Sequence, residues 1–182
     1  QNIGWSFYPA VQAFHILWPQ FQLGPHRTLV PVGIDQDPFI RLTRDIATHS
    51  TLNFTKPSAI HSKFLPGLKG SPKMSSSEEI SAIYLTDSPE EVKKKINKYA
   101  FSGGKDTLEE HRKHGGNPDI DTSFIYLKYI FEEDTKKLEK IEKDYKAGKL
   151  LSGELKAIVI EKINSFLKEH RKQRDKIKIS QF

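Results

Sequence analysis

Residues 28–47 read TLVPVGIDQDPFIRLTRDIA, and this stretch decides the fold class. TLVPVGID, 28–35, is short and mostly apolar, as suits a buried strand, and Gly33 near its end permits close approach of backbone or ligand. In DPFIRLTRDIA, Asp37 can cap a helix, Pro38 fits its first position, and Phe39, Leu42 and Ile46 recur at helical spacing. The stretch predicts strand, tight turn, helix. AIYL, 82–85, is a second strand candidate, so the first half reads as α/β. Open α/β sheets bind ligands beyond the carboxyl ends of their strands, where Asp35 and Gln36 lie. Glutamine offers one acceptor atom and two donor hydrogens, which suits an amino acid's ammonium and carboxylate or a ribose hydroxyl. A plain turn in which the Asp and Gln cap the next helix is the simpler alternative.

From Ser88 the sequence turns helical. SPEEVKKKINKYAF starts with Ser88 as cap, Pro89 next and Glu91 three residues on, the pattern of a capping box, and DTLEEH repeats it with Asp106 and Glu109. Phe124, Leu127 and Phe131 share one stripe; Leu155, Val159, Ile163 and Phe166 share another. Four or five helices are expected, joined by SGGK, HGGNPD and AGKLLSG, with Tyr99, Tyr126 and Tyr129 in the core. Residues 1–87 hold 7 Lys and Arg against 6 Asp and Glu, whereas residues 88–182 hold 22 against 17, so most of the formal +6 lies in the helical half. Such a balance suits solvated helix faces or a nucleic-acid surface, above all in KEHRKQRDKIK with Lys168, Arg171, Lys172, Arg174, Lys176 and Lys178.

The chain has no cysteine, which rules out disulfides and thiolate metal sites and points to a reducing, cytoplasmic setting. It has no apolar run long enough to span a membrane and no signal-peptide pattern at its start, so a soluble protein is expected. It opens on QNIGWSFYPAVQAF without methionine, and it reads as a piece of a longer protein.

GSPKMSSS, 70–77, can form neither strand nor helix. Lys73 could set an ammonium against a triphosphate and follow charge onto a leaving pyrophosphate. Pro66, Gly67, Gly70 and Pro72 would leave the loop unpinned and able to close, although a solvated surface loop has the same composition. The one H-x-x-H, His111 to His114, has no evident third ligand and reads as helix-end histidines rather than a metal site.

KMSSS resembles the KMSKS signature of class I aminoacyl-tRNA synthetases, and GIDQD, about 40 residues earlier, resembles the G-x-D-Q motif of their tryptophanyl and tyrosyl subclass. Together with FYPAVQA, FLPGLKGS, IYLTD and AFSGGKDTLEEHRKHGGNPDIDTSFIYLKYI, these stretches are similar to tryptophanyl-tRNA synthetases of the eukaryotic cytosolic and archaeal kind, from residue 1 to about 170. The resemblance implies that residues 1–87 are the later half of a Rossmann-like catalytic domain and residues 88–182 a helical anticodon-binding domain. It implies ATP-dependent activation of tryptophan and transfer to tRNA. The expected partners are tryptophan, tRNA(Trp) and a second copy of the chain, with Mg²⁺ as the counter-ion of ATP. Gln12 and Gln36, with Asp35 and Gly33, would bind the amino acid or its adenylate. Lys73, Met74, Ser75, Ser76 and Ser77 would form the ATP loop, and Phe64 and Leu65 would lie beside adenine. Ser76 stands where the signature has a second lysine, and no HIGH-type sequence occurs. The 182 residues alone are therefore expected to be inactive, with the strand at 28–35 lacking a partner. A tyrosyl-tRNA synthetase and a non-catalytic tRNA-binding piece are the alternatives.

Overall fold

The computed structural model describes residues 2–75, 80 and 82–177. They form two compact units, Gln1–Phe64 and Leu65–Phe182. Composition changes at 87/88, but packing divides the chain after Phe64. The reason is Leu68, which is fully buried in the core of the second unit, with Met74 and Ile83 packed against that core.

In the first unit, helix α1 spans Ile3–Leu23, strand β1 Leu29–Gly33, helix α2 Asp37–Ala47 and strand β2 Ser58–Ser62. β1 and β2 pair in parallel from Leu29 opposite Ser58 to Gly33 opposite Ser62. The expected absence of a partner strand is thus corrected: β2 supplies one, and α2 is the crossover that a parallel pair needs. β1 is less buried than its composition suggests, with Leu29 60% exposed, because among the described residues it has a single neighbouring strand. Arg44 of α2 donates to the Pro57 carbonyl and so fixes the entry into β2. Gln20 of α1 is buried; its Nε2 donates to the Thr55 carbonyl at 2.9 Å and its Oε1 accepts from the Thr55 amide at 2.9 Å.

Asp37 does not cap α2. The chain enters this helix through a 3₁₀ turn, Ile34–Gln36, so the Asp37 amide already donates to the Ile34 carbonyl. The Asp37 carboxylate instead pairs with Arg41 at 2.7 Å and His61 at 3.3 Å. The buried stripe of α2 is Ile40, Thr43 and Ala47, one residue on from the expected one, and Leu42 is exposed. Thr43 tolerates burial because its hydroxyl donates to the Phe39 carbonyl at 2.7 Å.

The second unit contains α3 (Pro89–Tyr99), α4 (Leu108–His114), α5 (Thr122–Tyr126) running into a π turn (Leu127–Phe131), α6 (Thr135–Lys146) and α7 (Ser152–Arg174). The Ser88 capping box forms: the Ser88 hydroxyl accepts from the Glu91 amide at 3.2 Å, and the Glu91 carboxylate accepts from the Ser88 amide at 2.7 Å. Those bonds hold the Glu91 carboxyl below its ordinary range. At α4 the cap is Thr107, not Asp106; its hydroxyl accepts from the Glu110 amide at 3.2 Å. Val92 and Ile96 of α3 are buried together with Leu155, Val159, Ile163 and Leu167 of α7, spaced four apart. At the end of that stripe Leu167 turns inward and Phe166, expected inside, is 50% exposed with its ring edge-on to Phe131. Of the three tyrosines expected in the core, Tyr126 is buried and Tyr99 is partly buried against the core cluster, but Tyr129 is exposed on the π turn.

The strand candidate at 82–85 is irregular chain that leads into a turn closed between Tyr84 and Asp87. The Asp87 carboxylate accepts from the Tyr84 amide at 2.9 Å, and the Asp87 amide donates to the Tyr84 carbonyl at 3.0 Å, so those backbone groups are satisfied locally. Lys95 of α3 clasps the same carboxylate at 2.7 Å, and Arg171 of α7 donates to the Asp87 carbonyl at 2.9 Å.

Asp121 is the buried polar centre of this unit. Its carboxylate accepts from the amides of Gly103 at 2.8 Å, Ser123 at 2.9 Å and Phe124 at 3.2 Å, and from the Tyr145 hydroxyl at 2.8 Å. Replacement by alanine strands those donors. Asp121→Ala is expected to lower unfolding free energy by about 3 kcal/mol or more in urea titrations, and Asp121→Asn by less.

Burial pushes the Tyr145 phenol from 10.0 up to about 12 and raises Tyr126 as well. A raised native value contributes stability that is fully present below the unfolded value and is lost as pH climbs through the native one. Stability should therefore fall between pH 10 and about 12, and in alkaline unfolding curves Tyr145→Phe should flatten that fall.

Candidate amino-acid and nucleotide site

At the carboxyl end of β1 the backbone passes from Gly33 directly into the 3₁₀ turn. Gly33 has an ordinary extended φ of −68°, so its need for glycine is spatial. A Cβ built there would lie 2.9 Å from Cε1 of Phe64 and 2.9 Å from Oδ1 of Asp35, so both side chains make the close approach anticipated at Gly33.

Beyond the turn, Gln36 meets α1. Its Oε1 accepts from the Gln12 Nε2 at 3.1 Å and from the Tyr8 hydroxyl at 3.1 Å. Gln12 and Gln36, 24 residues apart in sequence, are therefore in direct contact. The Gln12 Oε1 is buried and, among the described residues, has no hydrogen-bond partner. Tyr8, Asp35, Gln36, Trp5 and Phe39 line a cavity of about 530 Å³, inside the range of roughly 300–1,000 Å³ typical of small-molecule sites. The cavity presents the amide donor that Gln36 retains once its oxygen is occupied, the Asp35 carboxylate and aromatic surface, whereas Gln12 is bonded to Gln36 without itself lining the cavity. A zwitterion carried on a large apolar side chain has matching chemistry.

Sequence reasoning missed Tyr8 and Trp5 as site residues and read Phe39 only as part of a helix stripe. The signal for Tyr8 was present, since Tyr8 and Gln12 are four apart and share a helix face. Pro9 between them obscured the helix.

The second unit carries the KMSSS stretch. Its approach is pinned, not loose as the prolines and glycines suggested. The Met74 amide donates to the Leu65 carbonyl at 2.8 Å and the Gly67 amide to the Ser71 carbonyl at 2.9 Å. The Tyr126 hydroxyl donates to the Pro66 carbonyl at 2.8 Å. Gly70 sits at φ 80°, a conformation that favours glycine, and a Cβ there would be 3.2 Å from Phe101. Lys73 is exposed at the turn, with Met74 and Ser75 half-buried behind it. Leu65 is half-buried where the turn begins, and Ser76 and Ser77 lie outside the described residues.

His111 is buried; its Nε2 lies 3.0 Å from the Leu150 carbonyl and its ring packs on Tyr145, as befits a structural histidine. Among the described residues no group of three His, Cys, Asp or Glu side chains is placed to hold a metal ion. No helix among them is long and apolar enough to cross a membrane. In the C-terminal basic run, Lys172 pairs with Glu169 at 3.7 Å and Arg174 with Asp175 at 3.2 Å; Lys168, Arg174 and Lys176 are exposed, and Lys178 lies outside the described residues.

The family profile described as tRNA synthetases class I (W and Y) matches residues 6–168. The tryptophan–tRNA ligase of Sulfurisphaera tokodaii is 55% identical over 178 residues, which are 97% of this chain and 45% of that protein. The human cytoplasmic tryptophan–tRNA ligase is 46% identical, over 96% of this chain and 38% of its own length. The crystal structure of tryptophanyl-tRNA synthetase from Aeropyrum pernix superposes with a TM-score of 0.86 at 38% identity, covering 93% of this chain and 47% of that one. A tyrosyl-tRNA synthetase from Aeropyrum pernix shares the fold with a TM-score of 0.67 at 24% identity. The chain spans about half the length, or less, of the proteins it matches. On the extent of the profile match, the chain belongs to the class I tRNA synthetases of the tryptophan and tyrosine group.

Proposed function

We propose that the chain serves a tryptophan–tRNA ligase, in which ATP activates tryptophan to tryptophanyl adenylate and the tryptophanyl group then passes to tRNA(Trp). The observation that carries this reading is the Gln12–Gln36 amide pair beside a cavity with aromatic walls, in a chain 55% identical to a tryptophan–tRNA ligase. The buried Gln12 Oε1, an acceptor only, suits the substrate's ammonium, and Gln36 Nε2, a donor only, suits its carboxylate. That carboxylate is the nucleophile. It attacks the α-phosphorus of ATP, an acyl–phosphate bond forms as the bond to the pyrophosphate oxygen breaks, and pyrophosphate departs with the electron pair.

Lys73 is assigned to the triphosphate. Its ammonium gains most where negative charge grows on the leaving pyrophosphate, so it lowers the barrier more than it strengthens ground-state binding. The Met74, Ser75, Ser76 and Ser77 stretch would supply amides and hydroxyls to phosphate oxygens, with Phe64 and Leu65 beside adenine. Mg²⁺ is proposed as the counter-ion of ATP, bound through its phosphates. Residues 1–87 are read as the later half of a Rossmann-like catalytic domain, and residues 88–182 as a helical anticodon-binding domain whose exposed Lys168, Arg174 and Lys176 meet tRNA phosphates. A homodimer and a cytoplasmic location complete the proposal.

The test is isotope exchange between pyrophosphate and ATP. It would be measured on this chain and on a graft in which it replaces the matching 178 residues of the Sulfurisphaera tokodaii enzyme. Exchange by the graft that depends on tryptophan and not on tyrosine supports the assignment. Tyrosine-dependent exchange identifies the tyrosine branch, and tRNA binding without exchange identifies a non-catalytic piece. In the graft, Lys73→Ala should slow exchange about 100-fold or more while the KM for tryptophan moves by less than about threefold. A loss confined to tryptophan affinity would remove Lys73 from its assigned role.

A further inference from the structure

We infer that Tyr8 is a positioning residue for the amino-acid substrate: its hydroxyl holds the Gln36 amide with the oxygen turned toward α1 and the NH₂ group left to bind the substrate's carboxylate. This rests on the reading above that Gln12 and Gln36 hold an amino acid.

A glutamine oxygen has two lone pairs, and in Gln36 both have donors, Tyr8 and Gln12, each at 3.1 Å. A lone bond from Gln12 would leave the flexible Gln36 side chain free to pivot about that contact; a second donor from another turn of α1 fixes the amide plane. Tyr8 is itself held, since its ring meets Phe39 of α2 edge-on with centroids 5.3 Å apart. The hydroxyl therefore comes from a ring braced against the same helix that follows Gln36. Phenylalanine at position 8 keeps this ring contact and removes the bond alone. The bond is reachable by solvent, Tyr8 being 46% exposed, so its loss should be modest in stability and visible in ligand binding.

The experiment compares the graft into the Sulfurisphaera tokodaii enzyme with its Tyr8→Phe form, using Tyr8→Leu as a second variant that also removes the ring contact. The Gln36 side-chain NH₂ pair, assigned in ¹⁵N-labelled protein by its disappearance in Gln36→Glu, reports the bond without ligand. Tryptophan and tryptamine, which lacks the carboxylate, are then titrated by calorimetry. Tyr8→Phe should shift the Gln36 signals toward those of a solvated amide and weaken tryptophan about fivefold to tenfold, the size of one neutral hydrogen bond, with tryptamine changed by less than twofold. Unchanged Gln36 signals, or an equal loss for both ligands, would overturn the inference while leaving the amino-acid reading in place. An unsubstituted graft that binds neither ligand would sink the reading of the cavity and this inference with it.

Discussion

The first unit depends on the parallel pairing of β1 with β2. A parallel pair cannot be closed by a hairpin, so the chain must leave β1, cross over the sheet and return. That crossover is α2, and the turn that launches it carries Asp35 and Gln36. The register sets Gly33 opposite Ser62, which brings Phe64 within reach of the strand end two residues later, where its ring edge takes the space that a side chain at Gly33 would fill. Backbone geometry thus places the candidate binding groups, and the side chains of α1 finish the arrangement by bonding to Gln36.

The second unit is organised differently, around a carboxylate. Asp121 gathers amides from its own helix start, an amide from the loop at Gly103 and a hydroxyl from α6, which ties segments that the apolar stripe alone would let slide. The stripe of α3 against α7 provides most of the apolar burial, and directed bonds to Asp121 and Asp87 specify which loops lie against it.

Sequence reasoning succeeded where a local rule had no competitor. The Ser88 capping box needs only residues three apart, and α2 follows its strand after one turn. It failed where tertiary contact decided. SAIHS at 58–62 lacks the apolar content of a strand, and only its pairing with β1 makes it one. IYL at 83–85 has strand composition, yet Asp87 captured its backbone. Helix α1 was hidden by Pro9 and Pro19 and by apolar residues on every side, which erase the periodic signal. The loop before Lys73 read as loose from its prolines and glycines because the anchoring of Leu68 in a distant core cannot be seen along the chain. Of the candidate site, Gln36 was visible from its place beyond the strand and Gln12 through family resemblance alone, whereas their contact and the part of Tyr8 required the helix.

Pro9 has one further effect. Proline contributes no amide hydrogen, so the Trp5 carbonyl lacks its partner four residues on, and the residues ahead of Pro9 join the body of α1 through a thinned ladder. Those residues include Trp5 and Tyr8, which wall the cavity. Two of the aromatic walls of the cavity are thus carried on a segment tied to the rest of α1 by one backbone hydrogen bond fewer than an uninterrupted helix supplies, and what holds Tyr8 in place is its contact with Gln36 and Phe39 more than the helix ladder.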